Sequence, residues 1–382
     1  MTAPVRIARL AAEVFRVPID RPVETSFGVM RDRPAVFVRL EDTDGAFGWG
    51  EVFANWPAAG AEHRARLVME DIADLLLGRE IARPGDLFHV LTAETRIRAL
   101  QCGEWGPFAQ GIAGLDTAAQ DLFARRAGTP LHRHLRTDAP GAVPAYASGI
   151  KIADAPEAIP AARAAGFTAF KVKVGFDMDA DVAGIRAAAA ALAPGERLFA
   201  DANQAWDVRT ALDFAGQVAA CGLGWLEEPI PADAPDADWA RLAGDCPIPL
   251  AGGENIAGRA AFARAAEAGH LAVIQPDLAK WGGVTGCLGA MRAAIGAGRL
   301  ACPHFLGGGV GLAASAHLLA AAGGAGLLEV DVNPNPLRDA FGAPGARMRD
   351  GCWQIPDLHG LGIEALPEEI LRYRTLSLVR PA

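Results

Sequence analysis

The feature that most constrains this fold is a series of short apolar runs beginning near residue 143, each closed by a polar or ionisable residue and followed by a helical stretch. They read VPAYASG, AFKVKVG, RLFADAN, GWLEEP, PLAGGE, AVIQPD, LACPHF and GLLEVD. Regular alternation of strand and helix gives a parallel sheet. Eight units in about 200 residues match a closed (β/α)8 TIM barrel, somewhat compact beside the ~250 residues usual for that fold. The closing residues keep register: Lys171 and Lys173 end the second run, Asp201 and Asn203 the third, Glu227 the fourth and Glu254 the fifth. Asp277 ends the sixth, His304 the seventh and Glu329 the eighth. From Asp201 to Glu329 the steps are 26, 27, 23, 27 and 25 residues, one strand–helix unit each. Barrel strand ends converge on the C-terminal face, where the active sites of such folds lie, so these residues are expected to line one pocket.

The preceding region has a different period. VFRVPI, AVFVRLED and GAFGWGEV alternate as antiparallel strands, with DTDG as a tight turn between the last two, and residues 61–127 then read as helices. The expected organisation is an α+β domain over 1–130, the barrel over 131–330, and an irregular tail, 331–382, packing back on the first domain. Residues 306–328 carry no Asp, Glu, Lys or Arg, but seven glycines and little large apolar bulk identify a buried Gly/Ala helix rather than a membrane span. A net charge of -9 without a basic run argues against nucleic acid or an anionic membrane as partner. The six cysteines show no CxxC spacing, which argues against a zinc ribbon or a disulfide framework. With no visible export signal, a cytoplasmic protein is expected.

Three carboxylates on neighbouring strands, Asp201, Glu227 and Glu254, are natural ligands of a hard divalent cation, with Mg²⁺ the first candidate. A single acid after a strand would more simply be a helix N-cap or surface ion pair; three at unit spacing favour the metal. Lys171 and Lys173 share one face of their strand, and each ammonium should depress the other's pKa, which suits Lys173 to act as a base. Asp277 beside His304 would fix the imidazole tautomer and raise its basicity, forming a proton-transfer dyad. GGGVG lacks the spacing of a dinucleotide loop. Specificity is expected from the loops near 20–33 and 50–62 of the first domain, with Arg31 and Arg33 as candidates to bind substrate and Trp56 and Trp105 to exclude water. The alternative is surface arginines and interdomain core tryptophans.

The ordered motifs GWGE, GLDTAAQDL, FKVKVG, DANQAW, WLEEP, AGGEN, QPDLAKWGGVTG, PHF and LLE resemble the enolase superfamily, in its mandelate racemase subgroup, over nearly the whole chain. The resemblance implies a capping domain with specificity loops over an enolase-like barrel, and Mg²⁺ held by Asp201, Glu227 and Glu254, with Glu228 not a ligand. It implies Lys173 and His304 flanking the α-carbon of a small carboxylate substrate, Asp277 supporting His304, Lys171 assisting electrostatically and Asn203 beside the metal. Glu329 would donate a hydrogen bond to the substrate carboxylate if a dry site raises its pKa. The pair Asp277 and His304 resembles the mandelate racemase arrangement rather than the lysine base of muconate lactonizing enzymes, and Lys280 reads as structural. The implied reaction is removal of the proton α to a carboxylate, first as dehydration of an acid sugar to a 2-keto-3-deoxy acid. The alternatives are racemisation or epimerisation, and cycloisomerisation of a lactone. A non-catalytic binding barrel is the reading from another class, and it predicts a lost ligand or base where none is lost. Members of this family are commonly homo-oligomers, so a dimer or octamer is expected.

Overall fold

The structure is a computed structural model that describes residues 4–26 and 28–382. Strands β1 (Val5–Thr25), β2 (Gly28–Asp42) and β3 (Phe47–Val52) form an antiparallel sheet. The DTDG turn closes β2 to β3: Gly45 takes φ +83°, and the Asp42 carboxylate accepts the N–H of Asp44 and of Ala46. Helices α1 (Gly60–Leu67), α2 (Asp86–Cys102) and α3 (Trp105–Arg126) follow. The glycines of GWG allow α3 to lie directly on β3. A Cβ at Gly50 would stand 1.9 Å from the carbonyl oxygen of Gly114, so no larger residue fits. Leu10, Val14, Val38 and Leu40 of the sheet meet Ile112, Leu115 and Phe123 in this domain's own core.

The barrel strands are β4 (Ala142–Lys151), β5 (Ala169–Lys173), β6 (Arg197–Asp201), β7 (Leu226–Glu227), β8 (Leu250–Gly252), β9 (Val273–Ile274), β10 (Leu300–Ala301) and β11 (Leu328–Asp331). All pair in parallel, in the order β10-β9-β8-β7-β6-β5-β4, and β11 pairs with β4 to bring the ring round. Between β10 and β11 no ladder is formed among the described residues. There the chains touch at Gly326, where a Cβ would lie 1.9 Å from the oxygen of Ala301. Helices α4 (Ala155–Ala164), α5 (Met178–Ala190), α6 (Val208–Val218), α7 (Asp236–Asp245), α8 (Arg259–Ala268), α9 (Gly283–Gly296) and α10 (Gly309–Ala322) alternate with the strands.

Period 2 along each strand sorts its side chains. In β5, Phe170 and Val172 face the helices, while Ala169, Lys171 and Lys173 point inward. The floor takes one residue from each barrel strand or its immediate flank: Tyr146, Ala169, Phe199, Trp225, Ala251, Val273, Cys302 and Leu327. Phe199 and Trp225 stack at 3.5 Å with Tyr146 edge-on to both. Lys171 therefore stands directly above an apolar plug, and polar residues begin one layer higher.

Residues 306–328 form the buried helix α10 and its flanks, and among the described residues no helix is long and apolar enough to cross a membrane. The tail is less irregular than its sequence suggests. Strand β12 (Cys352–Gln354) pairs antiparallel with the start of β4, covering the N-terminal edge of the barrel. β13 (Arg374–Pro381) joins the sheet of the first domain, antiparallel to β1, and the segment before it reaches α3, where Asp121 accepts the N–H of Leu361 and Arg125 donates to the carbonyl of Ile363.

Where the domains meet, Asp116 of α3 accepts the N–H (2.8 Å) and hydroxyl (2.6 Å) of Thr285, capping α9 from the other domain. Burial pushes its carboxyl up to about 7, against the hydrogen bonds from Thr285. A carboxyl raised in the folded state contributes stability that is complete below its unfolded pKa, about 4, and is lost as pH rises through about 7. Asp116→Asn is neutral at every pH. The stability difference between wild type and variant should therefore move in the variant's favour between pH 5 and pH 9, by at most about 3 kcal/mol. Denaturant titrations at the two pH values measure it, and a difference independent of pH would show the carboxyl ionised throughout.

Candidate active site

Strand register assembles the centre. Lys173, Asp201 and Glu227 are direct partners across β5, β6 and β7, so they form one layer at the C-terminal mouth. Lys171 lies a layer below, completely buried, with Nζ 2.7 and 2.8 Å from the two oxygens of Glu227, 2.7 Å from Glu329 and 3.6 Å from Asp201. Burial works against its charge, but Glu227 and Glu329 outweigh this and hold its pKa well above the ordinary value. Lys173 donates to Asp201 at 2.5 Å.

The opposite wall carries the dyad. His304 Nδ1 is 2.7 Å from Asp277, and its Nε2 contacts Glu254, which follows β8. Burial lowers the imidazole pKa, yet Glu254 and Glu329 more than compensate and raise it well above 6.5. Asn203, in the left-handed region at φ 45°, donates through its backbone N–H (2.8 Å) and side chain (3.3 Å) to Asp201. One connected network thus contains Lys171, Lys173, Asp201, Asn203, Glu227, Glu254, Asp277, His304 and Glu329.

Four details differ from the sequence expectation. Burial and, less strongly, Lys171 press the pKa of Lys173 down, but Asp201 together with Glu227 makes the net direction upward. Glu329 is not raised: burial favours its neutral form, while Lys171 and His304 hold it below the usual carboxylate range. It accepts from Ser148 and lies against Lys171, so it is an acceptor here rather than a donor. Lys280, expected to be structural, makes a contact the sequence did not show: its ammonium reaches 3.4 Å from Glu254. Arg33 is neither a surface residue nor directed to the pocket, because it is buried in an ion pair with Asp331 at the end of β11.

Arg31 is exposed, Trp105 is half-exposed, and the Trp56 ring packs on Gly28 of the β1–β2 hairpin. That hairpin replaces the expected loop at 20–33; its Phe27 lies outside the described residues. Ser26 donates to the carbonyl of Asn203 at 2.5 Å, and a cavity of about 440 Å³ opens among Ser26, Gly175, Asn203, Gln204, Ala205 and Pro231. Sequence reading missed Gln275, which donates to Glu227 at 2.7 Å, and Ser148. Gln275 lies two positions before Asp277 and Ser148 two after Tyr146, so period 2 was the available signal.

Among the described residues no three His, Cys, Asp or Glu side chains close into a finished metal-ligand set. Each of the three expected ligands instead faces an organic cation: Asp201 faces Lys173, Glu227 faces Lys171, and Glu254 faces His304 and Lys280. The acids also act on one another. Burial and then Asp201 raise Glu227 to about 7, and Glu254 opposes ionisation of Asp201. Buried, mutually repelling oxygen donors on adjacent strands fit a hard divalent cation.

This architecture, an α+β domain over a parallel barrel with acids, lysines and a His–Asp pair at the strand ends, defines the enolase superfamily. Residues 154–369 match the enolase C-terminal domain-like family and residues 9–135 the mandelate racemase/muconate lactonizing enzyme N-terminal domain, and the chain belongs to this family. A mandelate racemase/muconate lactonizing enzyme from Bordetella bronchiseptica RB50 superposes with TM-score 0.90 at 49% identity, over 95% of this chain and 98% of that one. A racemase from Streptomyces coelicolor A3(2) with bound magnesium superposes with TM-score 0.83 at 28% identity, over 97% and 100%. D-galactarolactone cycloisomerase of Agrobacterium fabrum is 29% identical over 97% of this chain and 99% of its own length. Further relatives at 28–32% identity are sugar-acid dehydratases and another cycloisomerase.

Removing the Lys171 ammonium would leave Glu227 and Glu329 as uncompensated buried acids. Lys171→Met should cost about 3–5 kcal/mol at neutral pH, measured by denaturant unfolding, and should cost less as pH falls and those acids take up protons. An unchanged midpoint would mean the network relaxes by admitting water.

Proposed function

We propose that the protein is a lyase that removes the proton α to the carboxylate of a sugar acid and then expels the β-oxygen, with water as the leaving molecule and a 2-keto-3-deoxy acid as product. The observation that carries this is the pairing of His304, after the seventh strand, with Asp277, after the sixth; His304 lies three strands round the ring from Lys173 on the second, so that a base and an acid face each other across the mouth.

Asp201, Glu227 and Glu254 would hold Mg²⁺, which when bound supplies Lewis-acid stabilisation of charge developing on the substrate carboxylate. Lys171 adds a fixed positive charge beneath that carboxylate. Lys173 takes the α-proton once Asp201 no longer anchors its ammonium, since burial and Lys171 both favour the neutral amine. The C–H electron pair forms the C=C bond, the Cβ–O bond breaks, and His304, protonated beside Asp277, gives its Nε2 proton to the departing oxygen. The enol then tautomerises to the ketone. Asn203 orients Asp201.

A second reading keeps these steps but makes a ring oxygen the leaving group, as in a lactone cycloisomerase. The near full-length match to the galactarolactone enzyme favours it.

The test is a panel of mono- and diacid sugars and their lactones with Mg²⁺ in D₂O, followed by proton NMR and a 2-keto acid assay. Keto acid from an open-chain acid supports dehydration; keto acid from a lactone alone supports the second reading. α-Deuteration with no keto acid would exclude elimination in favour of racemisation. His304→Asn should reduce keto acid formation at least ~100-fold while α-deuteration through Lys173 persists, and Lys173→Ala should suppress both. Chelation by EDTA should abolish turnover and Mg²⁺ restore it; full activity in EDTA would remove the metal from this scheme.

A further inference from the structure

The strand β3 continues past its end as Phe53–Asn55, and its alternation separates two jobs. Val52 and Ala54 face the core of the capping domain, whereas Glu51, Phe53 and Asn55 face the barrel. The Glu51 carboxylate accepts the N–H of Gly308 at 2.5 Å and of Gly311 at 2.7 Å, capping α10 from outside its own domain. Asn55 donates to the carbonyl of Leu306 at 2.7 Å. Phe53 donates its backbone N–H to the carbonyl of Ala279 at 3.3 Å, and its ring lies 5.2 Å from the Lys280 ammonium. Residues 306–311 follow His304, and residues 279–280 follow Asp277. One five-residue segment of the capping domain therefore grips both loops that carry the proton-transfer pair.

The grip is stiff. Glu51 and Asn55 are 2% and 7% exposed. The Phe305 ring occupies the space above Gly307 and Gly311, where a Cβ would come within 2.6 and 2.2 Å of it. Burial, with a smaller contribution from Asp277, pushes the Glu51 carboxyl up to about 7 despite the two backbone hydrogen bonds, so its charge lies within reach of the dyad's.

We infer that Glu51 and Asn55 are positioning residues that hold His304 against Asp277, making capping-domain docking a condition of dyad alignment. The inference rests on the dyad's proposed role, but its geometric part is measurable without a substrate.

The test compares intact wild type with Glu51→Gln, Asn55→Ala and Arg125→Ala. The last breaks a buried contact to Asp121 elsewhere on the capping domain and an exposed one to Glu364 of the tail. Histidine-selective ¹⁵N NMR, with the His304 signal assigned from His304→Asn, should show that signal shifted or split in Glu51→Gln and Asn55→Ala but not in Arg125→Ala. On the substrate found by the panel, kcat should fall about 10- to 100-fold in Glu51→Gln, with KM within about threefold and α-deuteration through Lys173 retained. A His304 signal unmoved in both variants overturns the inference, as does an equal kcat loss in Arg125→Ala. If no substrate turns over, the proposed reaction fails while the NMR comparison still decides the positioning role.

Discussion

The ammonium of Lys171 is the charge on which the centre depends. Without side-chain exposure to water, it joins the fourth and eighth strands through Glu227 and Glu329 and lies within reach of Asp201 on the third. An isolated buried charge would cost several kcal/mol, so the lysine is tolerable only because these acids converge, and they are tolerable only because it is there. Tyr146 lies beneath with its ring face 5.4 Å from Nζ, which adds attraction without adding a titrating partner. The acids thus stand in fixed positions before any ligand arrives.

This arrangement follows from stacking layers up a barrel. The aromatic floor lies directly beneath Lys171, and the alternation that sends Ala169 into the floor brings Lys171 and then Lys173 up the same face. Lys173 and His304 are engaged by the very acids that suit a divalent cation, so a cation bound there and these two side chains would compete for the same carboxylates. Occupation of the acids and availability of the base and acid are coupled through shared oxygens.

Much of this was legible because strand ends are spaced by whole units: Asp201, Glu227, Glu254, Asp277, His304 and Glu329 were placed together by arithmetic alone. What spacing cannot carry is which partner each side chain chooses. Glu329 read as a neutral donor because burial was foreseeable and Lys171's approach at 2.7 Å was not. Arg33 read as a substrate group from its place in a loop, but residues 20–33 extend β1 and β2 as a hairpin, and its guanidinium is taken by Asp331 on a strand 298 residues later. Glu51 and Asp116 were invisible as helix caps because each caps a helix in the other domain. A capping signature is local in sequence only when cap and helix are contiguous.

The capping domain is fastened unequally around the mouth. Over the dyad it is held by the buried contacts of Glu51 and Asn55 and by Asp116 on α9. On the other side the hairpin is anchored at its base by the buried Arg33–Asp331 pair, and nearer its tip it holds through Ser26 to the Asn203 carbonyl and the solvent-facing pair Glu24–Lys151, a kind of contact that stabilises little and weakens with salt. The cavity lies on this second side, against Gly175 and Asn203. Lys173 thus lies on the hairpin's side of the mouth, and His304 on the side held by Glu51 and Asn55.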